Sequence, residues 1–235
     1  MLPYFNKTRT IIIKAIAIRL ILALLFNGII SLSAGDCSIP ILDAGFNREQ
    51  LRNYLEQEER IARITELAFP DINESQKAAW RMLLIGTVAV ESNFLKQYSG
   101  KSKNGNGPYQ IIGKTAYGVI HSYVSYPVKG ADRVVKREEL VLLFEKATKG
   151  RITWDEIADM DIDGLKSLCA YDHDFACLIS LLVYKDVFER KGIYILPLRP
   201  EALARLWKTC YNTEHGAGTE QFFIERFMPI YAYLT

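Results

Sequence analysis

The sequence lacks the residue clusters that usually hold transition metals. Its three histidines are isolated, and its four cysteines include no Cys-x-x-Cys pair. A structural zinc site normally needs such closely spaced ligands. We therefore predict no metal site and no cofactor. Internal repeats and low-complexity linkers are also missing, and the chain is long enough for one sizeable core or for one domain with an accessory lobe.

Acidic residues are absent from residues 1–35, where Lys7, Arg9, Lys14 and Arg19 precede a short apolar run and then small residues. This order is typical of a signal peptide. A membrane-spanning helix needs about 20 apolar residues, and Arg19 leaves too few. We predict a signal peptide over residues 1–35, with an uncleaved N-terminal anchor as the alternative, and hence an exported protein of the periplasm or cell envelope.

The positive net charge of the chain comes from residues 1–35, the predicted leader. The chain has 29 Lys and Arg residues against 27 Asp and Glu residues, and removing the four basic residues of 1–35 leaves 25 against 27, a formal net charge of −2. A nucleic-acid partner would need a basic patch in the mature chain. We therefore expect no nucleic-acid partner.

The four cysteines all follow the leader. An oxidising compartment would allow them to form disulfides. Four cysteines allow three complete pairings, and the sequence does not choose among them. Buried free thiols are the alternative. The residues concerned are Cys37, Cys169, Cys177 and Cys210.

Acidic residues are also absent between Glu91 and Asp132. Glu91 follows the apolar stretch 82–90, and the spacing of apolar residues predicts a helix over 74–91, with Asp71 and Glu74 at capping-box spacing. A carboxyl group at the C-terminal end of an apolar helix is desolvated and faces the helix-end carbonyl groups, and both effects favour its protonated form. Glu91 is therefore predicted to be a general acid.

Apolar residues recur at helical spacing along most of the chain after the leader, which predicts a mainly helical body with Trp80 and Trp207 in its core. The predicted helices cover residues 46–67, 74–91, 115–123, 137–147, 154–159, 174–190, a segment from Pro200 through Tyr211, and 218–231.

Four short motifs occur in an order that resembles a known family. They are Glu91-Ser92, Gly107-Pro108-Tyr109-Gln110-Ile111, Thr115-Ala116 and Tyr211-Asn212. Their order is similar to that of the lysozyme-like lytic transglycosylases that cleave bacterial peptidoglycan, of the soluble lytic transglycosylase type. The resemblance covers roughly residues 70–235. Pro108-Tyr109 replaces the family's usual Leu-Met, and the stretch between Ala116 and Tyr211 is longer than expected.

The resemblance implies a fold and a division of the chain. The fold would be α+β but mainly α, lysozyme-like, with a helical core, a polar loop or small hairpin beside the catalytic helix, and a helical insertion. Residues 36–70 would form an N-terminal helical extension. Residues 71–235 would form the transglycosylase domain, with the insertion at about 122–168.

The resemblance also implies supporting residues for Glu91. Tyr211 matches a family tyrosine whose hydroxyl group hydrogen-bonds to the acid and orients it. Gln110 would line the groove and bind an N-acetyl sugar, or else hold the loop. Ile112 would make an apolar contact with substrate. The other predicted substrate-binding or supporting residues are Ser92, Asn212 and Tyr109.

The implied chemistry is cleavage of the MurNAc–GlcNAc bond without water. Glu91 would protonate the glycosidic oxygen and then deprotonate the sugar's own 6-hydroxyl group, which closes a 1,6-anhydro ring. The alternatives are a hydrolytic muramidase or chitinase-like enzyme that recruits a second acid, for which Asp132, Glu138, Asp172 and Asp174 are candidates, and an inactive glycan-binding subunit. Peptidoglycan strands are the expected partner, and an envelope-spanning secretion, pilus or phage machine could be the host assembly.

Overall fold

The computed structural model describes residues 47–92, 107–125, 137–212 and 219–234. These residues are mainly helical, which confirms the predicted helical body. No strand occurs among them. The leader 1–35, Cys37 and residues 93–106 of the expected loop or hairpin lie outside the described residues.

Nine α-helices occur in the described segments. In chain order they are α1 Arg48–Ala68, α2 Glu74–Ser92, α3 Gly113–Ser125, α4 Arg137–Ala147, α5 Trp154–Ala158, α6 Ile162–Tyr171, α7 His173–Lys191, α8 Pro200–Leu206 and α9 Glu220–Leu234. A π-helical segment, Trp207–Asn212, continues α8. The predicted insertion therefore contains α4, α5 and most of α6 in its described part.

Local capping explains where several helices begin. The Asn47 side chain accepts a hydrogen bond from the Gln50 backbone, and the Asn47 backbone N–H donates one to the Gln50 side chain, so a capping box starts α1. Thr153 caps α5, as its position predicts. At α2 the sequence interpretation was wrong by two residues. The Gln76 backbone N–H donates to the side chain of Asn73 and not to Asp71, at 2.9 Å.

Helices α2 and α7 form the centre of the core. Every residue from 82 to 90 in α2 and from 174 to 184 in α7 is buried. A helix that is buried on all sides needs neighbours on all sides. Helix α1 packs against both, and α9 packs against α2. Trp80 is a core residue, since it is buried and its ring contacts those of Phe69 and Phe188.

Gly86 sets how closely α9 approaches α2. A Cβ atom at Gly86 would collide with the ring of Phe223. The ring is fully buried in the space that a glycine leaves open. The absence of a side chain therefore brings the following turn of α9, which carries Arg226, against the C-terminal end of α2.

Cys169, Cys177 and Cys210 are buried free thiols in this structure. No disulfide joins any two of them. Burial raises the pKa of Cys169 to about 12 and that of Cys177 to about 12, so both thiols stay protonated at neutral pH. Across the described segments, none of the helices combines the length and the apolar character needed to cross a bilayer.

Candidate active site

Glu91 lies in the last turn of α2 with its carboxyl group turned into the protein. The indole N–H of Trp207 donates a hydrogen bond to Glu91 Oε1 at 3.0 Å. The residue as a whole is half-buried. A general acid needs a carboxyl group in a fixed position, and the Trp207 hydrogen bond supplies that condition.

The proton of Glu91 is held more tightly than that of an ordinary glutamate. Burial is the largest cause, and it raises the pKa of Glu91 to about 7. The Trp207 hydrogen bond and the positive charge of Arg226 both lower the pKa, but together they do not offset the desolvation. At neutral pH the carboxyl group therefore exists in both protonation states.

Trp207 was predicted to be a core residue, and it also binds the acid. Its side chain is fully buried and packs against Phe223. It is the first residue of the π-helical segment, where the sequence predicted a continuous α-helix. Isolated π-helical turns occur frequently at functional sites. The signal that the sequence did offer is spacing, since Trp207 lies one helical turn before Tyr211.

Tyr211 does not donate its hydroxyl proton to Glu91, which corrects the sequence prediction. Its hydroxyl group donates instead to the backbone carbonyl oxygen of Tyr109 at 2.7 Å. The phenol still lies near the acid. Burial raises its pKa well above the usual value, and the charge of Glu91 raises it further. Its ring stacks on Tyr184 with centroids 5.0 Å apart, so Tyr211 joins the acid-bearing region to the 107–110 turn.

Tyr109 supports the site from within the core and is not exposed to a ligand. Its side chain is fully buried. The preceding turn packs tightly, because a Cβ atom at Gly107 would collide with the backbone carbonyl oxygen of Cys169. Gly107 has a φ of 73°, which glycine adopts without strain. The Gly107-Pro108-Tyr109 sequence thereby fixes the turn against the end of α6.

Gln110 holds this turn together. Its side-chain amide donates to the carbonyl oxygen of Gly107 at 2.8 Å. Its φ of 49° is uncommon for a residue other than glycine. Of the two interpretations offered by the sequence, the bond within the loop is the one present in this structure. Backbone strain of this kind is concentrated at binding sites.

The other predicted site residues occupy three different environments. Ser92 is buried and donates from its hydroxyl group to the Val88 carbonyl oxygen at 3.2 Å, a bond that closes the end of α2. Asn212 is half-buried at the end of the π-helical segment. Ile112 is 49% exposed immediately before α3, which leaves it accessible for an apolar contact with a ligand.

Arg226 is a residue that the sequence interpretation missed. It projects from α9, and its guanidinium group donates to the carbonyl oxygen of Val90 at 3.0 Å. That carbonyl belongs to the last turn of α2, where backbone acceptors have no partner within the helix. The guanidinium carbon also lies 4.2 Å from the centre of the Phe222 ring. A cation is thereby placed at the end of the helix that carries Glu91.

Two of the candidate second acids are already paired. Asp174 binds Arg60, Arg63 and Arg151 at 2.7–2.9 Å, and Asp172 binds Arg151 and caps α7. The other candidates, Asp132 and the side chain of Glu138, lie outside the described part of the chain. Within the described segments, no group of three or more His, Cys, Asp or Glu side chains is placed to hold a metal ion.

A cavity of about 570 Å³ lies elsewhere on the surface, and none of the predicted site residues lines it. Tyr117 and His121 of α3 form one wall, and residues 158–163 form the other. The two rings are tilted against each other with centroids 4.0 Å apart. The candidate active site is therefore defined by the surroundings of Glu91 and not by this cavity.

Comparisons with known proteins identify no relative. The chain matches no protein-family model, no curated protein and no solved structure.

Proposed function

We propose that this protein is a peptidoglycan lytic transglycosylase of the lysozyme-like kind, with Glu91 as the catalytic acid and base. The observation that carries the proposal is the environment of Glu91, a desolvated carboxyl group with a pKa of about 7 that is held by a neutral donor. The motif resemblance supports the same assignment. The leader-like residues 1–35 suit a substrate in the cell envelope.

The first chemical step is proton donation by Glu91. Because Trp207 donates to Oε1, that atom acts as the acceptor oxygen and the proton resides on Oε2. Oε2 gives this proton to the glycosidic oxygen as the bond between that oxygen and the sugar C1 breaks. The leaving sugar departs as a neutral alcohol, and C1 of the muramic acid residue acquires oxocarbenium-ion character.

The second step returns the proton to the enzyme. The Glu91 carboxylate accepts the proton of the 6-hydroxyl group of the same muramic acid residue, and O6 forms a bond to C1. The product has a 1,6-anhydro end, and Glu91 is protonated again. A group with a pKa of about 7 suits both directions of transfer, because neither protonation state is strongly favoured at neutral pH.

The nature of the products tests this proposal. Peptidoglycan would be digested with the full chain, with Glu91→Gln and with Glu225→Gln, and the fragments would be analysed by mass spectrometry. Glu225 is an exposed carboxylate on α9, so its variant is a matched control. We expect fragments with 1,6-anhydro-muramic acid ends from the unaltered protein and the control, and none from Glu91→Gln.

Two other outcomes would replace the proposal. Fragments that are one water heavier, with reducing ends, would identify a hydrolase, and Asp132 and Glu138 would then be tested as its second acid. A folded protein that binds glycan but releases no fragment would identify a glycan-binding subunit without catalytic activity.

A further inference from the structure

Arg226 is a cation without a close anionic partner among the described residues. None of the ion pairs in the described segments includes Arg226. When Glu91 is ionised, its negative charge raises the pKa of Arg226. The neighbouring acid on α9, Glu225, is exposed and accepts a hydrogen bond from Gln221.

The position of Arg226 is fixed by packing. Phe223 fills the space above Gly86, and the following turn of α9 brings the guanidinium group to the Val90 carbonyl oxygen at 3.0 Å. The guanidinium carbon lies 4.2 Å from the centre of the Phe222 ring. A guanidinium group has five N–H donors, and the Val90 bond uses one of them.

The protonation state of Glu91 decides whether this cation has a counter-charge. The proposed reaction begins with Glu91 protonated and therefore neutral. In that state the positive charge of Arg226 is partly desolvated, and no carboxylate of the described residues compensates it. A partly buried, uncompensated guanidinium group favours an anion, and a carboxylate matches its fork of donors.

We propose that Arg226 binds a carboxylate group of the substrate beside Glu91. The ligand class is a glycan that carries an acidic substituent, such as the lactyl carboxylate of muramic acid, in preference to a neutral N-acetylglucosamine polymer. This inference rests on the proposed function for the identity of the glycan. It adds a specificity residue that the motifs do not contain.

Equilibrium binding without turnover tests the inference. The full chain carrying Glu91→Gln would be titrated with a peptide-free tetrasaccharide of alternating N-acetylglucosamine and N-acetylmuramic acid, and separately with neutral chitotetraose. The amide introduced at position 91 keeps the acid position uncharged, as in the reactive state. We expect tighter binding of the acidic tetrasaccharide, and we expect Arg226→Gln in the same background to reduce its affinity about tenfold or more. Affinity for chitotetraose should change little.

The controls separate a specific contact from loss of charge or of structure. Arg52→Gln removes the same charge from an exposed position, paired with Glu56 at 3.9 Å, and should leave the affinity ratio unchanged. Equal loss of affinity for both ligands in Arg226→Gln would overturn the inference, because a purely structural role predicts that result. If Arg226→Gln does not fold, equal affinity for the two ligands in the Glu91→Gln chain overturns the inference without that variant.

This experiment is independent of cleavage. If the unaltered protein releases no fragments but prefers the acidic tetrasaccharide through Arg226, the proposed enzymatic function fails and the carboxylate site stands. If it releases 1,6-anhydro fragments but shows no preference, the function stands and the carboxylate site fails.

Discussion

The pKa values of two desolvated carboxyl groups in this protein are shifted in opposite directions. Burial favours the protonated form of both Glu91 and Asp174. Three arginines surround Asp174 at 2.7–2.9 Å, and their combined effect lowers its pKa. Glu91 receives one hydrogen bond from a neutral indole, and its pKa rises to about 7. The comparison shows that the charge of the partner, not burial alone, decides which acid is ionised.

The difference suggests separate tasks for the two groups. Asp174 joins side chains of α1, α7 and the segment after α4, so its charge connects three parts of the core. Glu91 makes no ion pair among the described residues, and its proton is available for transfer. Variants that neutralise each acid should therefore affect different properties.

The largest expected effect is on turnover. Glu91→Gln should reduce cleavage of peptidoglycan about 10²–10⁴-fold, because an amide cannot donate the proton that the leaving oxygen needs. Asp174→Asn should retain the activity of the unaltered chain per folded molecule. Initial rates of release of soluble muropeptides, normalised to the folded fraction from circular dichroism, measure both. Equal losses in the two variants would mean that the acids do not have separate tasks.

The next effect is on stability. Asp174→Asn should lower the free energy of unfolding by about 3 kcal/mol, because three arginines then face each other around a neutral amide. We expect the lower end of the range for broken buried pairs, since Arg151 is half-exposed and keeps its bond to Asp172. Urea denaturation measures this change.

The matched control for this stability change is Asp186→Asn. Asp186 pairs with the exposed Arg190 within one turn of α7. An exposed pair of this kind contributes at most about 1 kcal/mol. A loss at Asp174 no larger than that at Asp186 would contradict the idea that the arginine cluster is a structural anchor.

A third effect depends on pH and has a defined sign. The pKa of Glu91 in the folded protein, about 7, lies above the ordinary value of 4.5. The folded state therefore binds this proton more tightly than the unfolded state. The resulting stability is fully present below about pH 4.5 and is lost as the pH rises through 7. Between pH 5 and pH 8 the loss should be about 2 to 3 kcal/mol.

Comparison of the unaltered protein with Glu91→Gln isolates this effect. Other titrating groups contribute equally to both proteins, whereas the amide of the variant does not ionise. Relative to the unaltered protein, the variant should gain stability from pH 5 to pH 8 in urea denaturation. A stability difference that stays constant over this range would mean that the pKa of Glu91 is not raised by folding.

The helical body could be predicted from the sequence because the spacing of apolar residues and the residues at helix ends agree with the tertiary structure. Apolar residues recur at helical spacing in α2 and α7, and Thr153, Gly192 and Pro200 occupy the helix ends that they usually occupy. Helix α6 was not predicted, although Asp161 caps it. Its short pattern follows directly after another short helix, and such junctions are difficult to separate by periodicity alone.

The surroundings of Glu91 could be predicted only in part, because they depend on contacts distant in sequence. The raised pKa follows from an apolar helix end, which is a local feature. The donor to the acid, Trp207, lies 116 residues from Glu91 in the sequence, and the position of Arg226 depends on the packing of Phe223 over Gly86. Spacing within one segment contains no information about how α9 approaches α2.

The smallest expected effect concerns the hydrogen bond from Trp207. Trp207→Phe removes the indole N–H but keeps an aromatic ring beside Phe223. This bond stabilises the ionised carboxylate, so its loss should raise the pKa of Glu91 further. For the proposed reaction we expect kcat/KM to be high while Glu91 is protonated and to fall as the pH rises through its pKa. The fall in kcat/KM should therefore move to higher pH, by less than about one pH unit.

Trp80→Phe is the matched control for this shift. Trp80 is a core tryptophan on the same helix as Glu91, and its ring contacts those of Phe69 and Phe188. Its replacement should lower stability without changing the pH at which kcat/KM falls. If the fall in kcat/KM stays at the same pH or moves to lower pH in Trp207→Phe, the indole does not hold the carboxylate in the protein without substrate. A shift in Trp207→Phe alone would assign the tuning of the acid to one hydrogen bond, because both variants lose a similar volume of aromatic side chain.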